Sequence, residues 1–186
     1  MTEKEKALAG LEFMRGSAEL KAQRDRAEQL CFCLNHTAPE DAETRKEILA
    51  QLLPHAGENC LIKPPFFCDY GEYITLGRNF FANYNCKLID GGAITFGDDV
   101  LVGPDCTFAT PTHPTDPQRR GAGYQQYKPI TVGNNVWFGA GVQVCPGVTI
   151  GDDCVIGAGS VVTRDIPAGS VAVGNPCKVI RKAGTE

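Results

Sequence analysis

Through the second half of the chain an apolar residue followed by a small one returns at every sixth position. Val132-Gly133, Phe138-Gly139, Val144-Cys145, Ile150-Gly151, Ile156-Gly157 and Val162-Thr163 keep this phase without a break. Small or medium residues follow four positions later, at Val136, Val142, Val148, Cys154 and Ser160. The same phase holds earlier at Phe96-Gly97, Val102-Gly103 and Phe108-Ala109. Tyr70-Gly71 and Leu76-Gly77 repeat it two positions out of phase, and the DGGA turn at 90–93 is where that shift is absorbed. A period of six is neither the 3.6 of a helix nor the 2 of a plain strand. It suits a short strand and a tight turn, with one large side chain pointing inward per strand, which is the mark of a parallel β-helix. One such rung cannot bury its apolar face alone, so rungs stack around a shared axis. Gly133-Asn134-Asn135 and Gly151-Asp152-Asp153 supply the left-handed or tight backbone of the corners. A β-sandwich would instead space its strands eight to twelve residues apart with variable turns.

The first part of the chain, to about residue 55, is charged and nearly free of turn residues. Ala18 to Leu34, AELKAQRDRAEQLCFCL, reads as a helix broken by Asn35 and His36. Thr37 and Glu40 form a capping box for a second helix, with Pro39 in its first turn. Ile48, Leu49, Leu52 and Leu53 give that helix one apolar face, and Pro54 ends it. The pattern therefore predicts a helical cap over 1–55 and a β-helix over 56–186.

One stretch interrupts the repeats. FATPTHPTDPQRRGAGYQQYKP, residues 108–129, replaces the six-residue pattern with Pro, Thr, Arg, Gly and Tyr. Near its start stands His113, the single histidine of the repeat region, between Pro111 and Pro114. A loop of about 109–129 extruded from a smooth prism is a place for function, because loops on rigid scaffolds carry binding and catalytic groups. His36 and His55 lie outside the repeats without a motif and are read as structural or exposed.

Composition narrows the class. A chain of 186 residues with 18 basic and 22 acidic side chains, a formal net charge of −4, argues against a general nucleic-acid binder. The nine cysteines are odd in number, have no C-x-x-C pair and are read as small buried residues in a reducing cytoplasm. Cys31-x-Cys33 lacks the second ligand pair that a metal site would need. The charged N-terminus MTEKEKALAG is no signal segment, and no apolar run approaches a membrane span. The expectation is a cytoplasmic protein with no membrane or nucleic-acid partner.

The stretches FFANYNCKLID, PTHPTDPQRR, PITVGNNVWFGAGVQVCPGVTIGDDCVIGAGSVVTRDIP and GNPCKVIRK closely resemble the hexapeptide-repeat acetyltransferases. Together with the N-terminal helices they resemble the maltose and galactoside O-acetyltransferase branch over almost the whole chain. The resemblance implies a left-handed parallel β-helix, a homotrimer, and acetyl transfer from acetyl-CoA to a hydroxyl of a sugar or sugar-like acceptor, with no metal. It makes His113 the general base, a role that suits an imidazole titrating near working pH. It offers Asn83 and backbone N–H groups near Ala140 as donors to the developing oxyanion. It places Ala140 and Ala158 along the pantetheine arm, and Thr163, Arg164, Lys178 and Arg181 at the nucleotide end, where Arg and Lys suit phosphate. Arg119 and Arg120 are either further phosphate ligands or solvated loop residues.

For the acceptor, the resemblance matches Asp69, Asn83 and Gln125. It departs at Ser17, which by counting back from Asn35 stands where the branch has a sugar-holding Asp on the first helix, and at Gly91, which replaces an acidic side chain. Losing those carboxylates leaves the acceptor open and predicts poor use of ordinary glucosides, maltose or galactosides. Three other readings are weighed. A γ-class carbonic anhydrase needs three prism histidines for its zinc, and only His113 is present. A non-catalytic β-helix assembly protein needs neither the loop histidine nor the C-terminal tail. A xenobiotic O-acetyltransferase, acting on an antibiotic hydroxyl, shares the prism and loop histidine but is not expected to carry this helical cap.

Overall fold

The structure, a computed structural model, describes residues 1–185. From His55 onward the chain winds as a three-sided parallel β-helix. The first face stacks His55–Ala56, Ile74–Leu76, Ile94–Phe96, Ile130–Val132 and Thr149–Ile150. The second stacks Leu61–Ile62, Phe81–Ala82, Leu101–Val102, Trp137–Phe138, Val155–Ile156 and Ser170–Val173, and Lys178–Lys182 folds back antiparallel on the last of these. The third stacks Phe66–Cys68, Cys86–Ile89, Thr107–Ala109, Gln143–Val144 and Val161–Val162.

The six-residue period has a direct cause here. Each parallel strand is two to four residues long, and its inward residue sits directly over that of the previous rung. Leu76, Phe96, Val132 and Ile150 form one such stack. Aromatic rings run along the axis: Phe80–Phe96, Phe96–Phe108 and Phe108–Phe138 have centroids 4.9, 4.9 and 5.0 Å apart in tilted or edge-to-face contact. Leu76 pairs with Phe96 twenty positions later because the turn at Asp90–Ala93 holds two extra residues, as the phase shift predicts. Tyr70-Gly71, however, belongs to no strand. Tyr70 lies in a corner, and its ring packs outside the axis with Phe13, Leu20 and Tyr127.

Two of the corners are built from left-handed residues. Between the first and second faces Asn79, Asp99, Asn135 and Asp153 have φ of 53–59°. Their side chains form ladders: Asn79 Nδ2 donates to Asp99 Oδ1 at 2.7 Å and Asn135 Nδ2 to Asp153 Oδ1 at 2.8 Å. Asn and Asp tolerate this backbone because their short polar side chains bond locally. Beside them Gly133 leaves no space, since a Cβ there would sit 2.2 Å from Asp152 Oδ1.

The corner between the third and first faces is held by a buried carboxylate. Asp90 is fully buried, and its Oδ1 accepts from Asp69 N at 3.0 Å and Tyr70 N at 2.8 Å, its Oδ2 from Tyr73 N at 3.3 Å. Burial pushes its carboxyl up to about 6, against the pull of the backbone donors of Tyr70 and Tyr73. One rung further, Thr110 Oγ1 donates to Ile89 O and accepts from Gly92 N, and the long loop leaves from there.

The N-terminal part differs from the sequence reading in three places. A short helix α1, Glu3–Leu8, opens the chain with a capping box between Thr2 and Glu5. Helix α2, Ala18–His36, runs through Asn35 and His36 instead of breaking before them. Asn35 faces the first rung, where its Nδ2 donates to Phe66 O at 2.9 Å and its Oδ1 accepts from Phe66 N at 2.8 Å, so its polar group is satisfied by another element. Thr37 is the C-cap of α2, its hydroxyl donating to Cys33 O at 2.7 Å, and not the start of a capping box. Helix α3, Ala42–Leu52, is capped by Asp41 instead, which accepts from Thr44 N at 3.1 Å. Ile48, Leu52 and Leu53 are buried against α2 and the first rungs, as the apolar face predicts.

Nor is the extruded loop irregular throughout. Pro111–Thr112 and Tyr124–Tyr127 pair antiparallel around helix α4, Pro117–Gly121, and Phe13–Met14 adds a third strand. The N-terminal segment thereby ties the loop down.

Asn35→Ala removes both bonds to Phe66 and leaves that peptide partly unsatisfied, so it should cost about 1–3 kcal/mol, read as a lower urea midpoint at unchanged m-value. Asp90→Asn turns an amide NH₂ toward backbone N–H donors and should cost a similar ~1–3 kcal/mol at pH 7 in the same measurement.

Candidate functional site

The expected site residues fall on two edges of the prism and at one end. Asp69, Gly91, His113, Gln125, Thr163 and Arg164 all lie on the edge between the third and first faces. Asn83, Ala140 and Ala158 lie on the edge between the second and third faces. Lys178 and Arg181 lie on the strand that ends the second face.

On the first of these edges His113 follows the loop strand Pro111–Thr112 and is exposed. Its Nδ1 lies 3.4 Å from Tyr124 O, a carbonyl that can only accept, so Nδ1 is the donor of that contact. Asp69 is half-buried. Burial raises its carboxyl above the ordinary carboxylate range, and the nearby Arg24 charge opposes this. No hydrogen bond to its carboxylate is formed among the described residues. Gln125 is buried in the loop hairpin, opposite Phe13, and its Nε2 donates to Tyr127 Oη at 3.2 Å. Ser17 stands just before α2, half-buried, with no capping hydrogen bond from its side chain, so the position precedes a helix and is not within one. Arg15 N bonds Gly123 O beside it, which brings the start of α2 to the loop.

Gly91 has a structural reason to lack a side chain. A Cβ there would lie 2.3 Å from the Tyr127 ring, which covers it. The missing acidic group at this position is thus replaced in space by an aromatic one. Tyr70, Tyr127 and Arg24 were not anticipated from the sequence. Arg24 donates to Tyr70 Oη at 2.7 Å with its guanidinium 5.7 Å from the ring centre. A tyrosine two residues after Gln125 in the loop was the available signal.

The second edge carries a groove of about 370 Å³ lined by Phe81, Asn83, Leu101, Gly103, Trp137 and Ala140 among others. Asn83 Oδ1 accepts from Tyr84 N at 2.9 Å. Small residues run along this edge: Ala158 N would meet a Cβ on Gly139 at 2.6 Å, and Gly159 N donates to Ala140 O at 2.8 Å. Close backbone approach of this kind suits a long, thin ligand arm. Trp137, the one tryptophan in the chain, is 54 % exposed on the wall of the groove. It occupies the outward position of its strand, where the repeat alone marks only an alternation. Thr163, Arg164, Lys178 and Arg181 are all exposed; Arg181 folds onto the Thr185 carbonyl. Arg119 pairs with Glu12 and lies over the Tyr124 ring, and Arg120 donates to Pro114 O and Thr115 O, so both tie the loop together.

Within one chain His113 and Asn83 are therefore on different edges, and His113 does not line the groove at Asn83. A larger cavity of about 1340 Å³ lies between the turn after α2, α3 and the first rung, and it includes none of the expected site residues.

Comparison with known proteins places this geometry. Residues 129–164 match the family described as bacterial transferase hexapeptide (six repeats), and residues 6–57 match the maltose acetyltransferase hexapeptide capping motif. A Staphylococcus aureus protein described as an acetyltransferase is 52 % identical over 183 residues, 98 % of this chain and 92 % of its own length. The galactoside O-acetyltransferase of Escherichia coli is 42 % identical over 178 residues, 96 % of this chain and 88 % of its own. Among solved structures, a maltose O-acetyltransferase from Clostridium difficile superposes with a TM-score of 0.97 at 44 % identity, covering 100 % of this chain and 99 % of that one. A galactoside acetyltransferase in complex with coenzyme A gives 0.95 at 42 % identity, covering 98 % and 91 %. A chain whose repeats, cap and full-length superposition all agree in this way belongs to the hexapeptide-repeat acetyltransferases, in the branch of the maltose and galactoside O-acetyltransferases.

Proposed function

We propose that this protein transfers the acetyl group of acetyl-CoA to a hydroxyl of a sugar or sugar-like acceptor, with His113 as general base, in clefts shared between the subunits of a homotrimer. The observation that carries this reading is the division of the site between two edges. One edge has the groove at Asn83, Trp137 and Ala140, without a base. The other carries the exposed His113, with Asp69 and Gln125 on the same edge. Three copies related by a closed threefold axis can set the base edge of each against the groove edge of the next. The exposed ladder Leu61, Leu101 and Trp137 on the second face, each at least half exposed, supplies apolar surface for such a contact.

The groove fits the thioester substrate. Glycine and alanine along the second edge admit a pantetheine arm against the backbone, and Lys178 and Arg181 at the end of the second face suit its phosphates, with Thr163 and Arg164 reaching from a neighbouring copy. A complex of a relative with coenzyme A supports this choice of ligand. In the cleft, Asp69 and Gln125 orient the acceptor and His113 Nε2 removes the proton of the hydroxyl as its oxygen attacks the thioester carbonyl. The Asn83 amide and backbone N–H groups near Ala140 face the oxygen on which charge develops. The proton then passes from His113 to the departing thiolate. No helix among the described residues is long and apolar enough to cross a membrane, and the nine free cysteines suit a reducing cytoplasm as the site of reaction.

His113→Ala tests the role of the base. It should lower transfer by ~10²–10⁴ while leaving coenzyme A affinity, measured by calorimetry, at the parent value. Transfer at the parent rate would remove His113 from the mechanism.

A further inference from the structure

A line of polar side chains crosses the His113 edge. Arg24 donates to Tyr70 Oη at 2.7 Å, the oxygens of Tyr70 and Tyr127 are 3.2 Å apart, and Gln125 Nε2 donates to Tyr127 Oη at 3.2 Å. The guanidinium and the amide nitrogen are donors only. Each phenolic oxygen thus already receives an N–H. One phenolic hydrogen fills the space between the two oxygens, and the other has no acceptor within the line. Arg24 decides which. A phenol that accepts from a cation becomes the stronger donor, so Tyr70 gives its hydrogen to Tyr127 and the unfilled hydrogen is that of Tyr127. Turning the Gln125 amide over moves the free donor onto Gln125 but leaves it at the same end.

Three observations say what this donor meets. Tyr70 and Tyr127 are 1 % and 4 % exposed, so a donor left without an acceptor there is costly. Burial, reinforced by the Tyr70 contact, pushes the Tyr127 hydroxyl upward and keeps it protonated, hence a donor. The carboxylate of Asp69, the residue that precedes Tyr70 in the same corner, forms no hydrogen bond among the described residues. A donor without an acceptor and an acceptor without a donor thus share one corner. The ring that carries the hydroxyl is fixed in place, because it fills the space above Gly91, where even a Cβ would lie 2.3 Å from it.

We infer that Tyr127 is a specificity-determining residue of the acceptor site: its hydroxyl donates to a lone-pair oxygen of the acceptor while Asp69 takes the hydrogen of an adjacent hydroxyl. The ligand class is a polyol or sugar ring that offers an oxygen acceptor and a hydroxyl donor side by side. The inference rests on the proposed transfer to a hydroxyl.

Steady-state kinetics with acetyl-CoA and glucose, maltose and methyl galactoside, following thiol release, test it. Tyr127→Phe keeps the ring over Gly91 and removes the donor. It should raise the acceptor KM about tenfold, with kcat and the KM for acetyl-CoA close to the parent. Tyr70→Phe breaks the same contact between the rings but keeps the hydroxyl of Tyr127, so it should raise the acceptor KM less while lowering Tm at least as much. An active parent whose Tyr127→Phe variant keeps the parent acceptor KM, or whose two variants raise it equally, overturns this inference alone. A parent that releases no thiol with these acceptors or with a wider panel of sugars and polyols overturns the reading beneath it as well.

Discussion

No rung of this chain can bury its own apolar side chains. A two-residue strand offers one inward residue, and that residue becomes core only when the strands above and below lie in register with it. The main-chain bonds that fix this register, such as Gly77 N to Phe96 O and Gly97 N to Val132 O, both 2.9 Å, also fix which residues stack at each corner. The two edges that carry the candidate site follow from that stacking. Asp69, Asp90 and Thr110 occupy successive levels of one corner, and the loop bearing His113 can leave only where that corner opens. Asn83, Ala140 and Ala158 are gathered on another edge for the same reason.

A solenoid held together in this way has smooth sides, and two additions interrupt them. The helical part docks on the first rungs through Asn35 and the apolar faces of α2 and α3. Its leading segment then reaches the loop, where Phe13–Met14 pairs with Tyr124–Gln125. The loop is anchored further by Arg119 to Glu12 and by Gln126 to the Gly10 carbonyl at 2.7 Å. The part of the molecule farthest from it in sequence therefore holds the candidate base in place.

The repeats were legible in the sequence because their cause is local. An inward residue and a small corner residue recur every six positions, and the two-residue excess at Asp90–Ala93 appears as a phase shift. His113 was legible as the histidine in the one segment that breaks the pattern. What escaped depends on partners distant in sequence. Asn35 reads as a helix breaker until Phe66 satisfies its amide. Thr37 and Glu40 spell a capping box, yet Asp41 does the capping, since Thr37 closes the preceding helix. Tyr70-Gly71 mimics the repeat but its ring belongs to a second cluster with Phe13 and Tyr127. The glycine at 91 reads as a lost carboxylate, whereas the structure shows a space that the Tyr127 ring fills.

Mixing two inactive variants tests the proposed division of the site between two copies of the chain most directly. His113→Ala lacks the base but keeps the groove edge; Asn83→Ala keeps the base but lacks the oxyanion donor. Co-refolded in equal amounts, random trimers should contain intact clefts at about a quarter of their interfaces, from one His113 edge meeting one Asn83 edge. Recovery of about a quarter of the parent activity from two nearly inactive proteins is the predicted result. A mixture no more active than its components, with exchange of subunits verified by mass, would contradict the shared cleft.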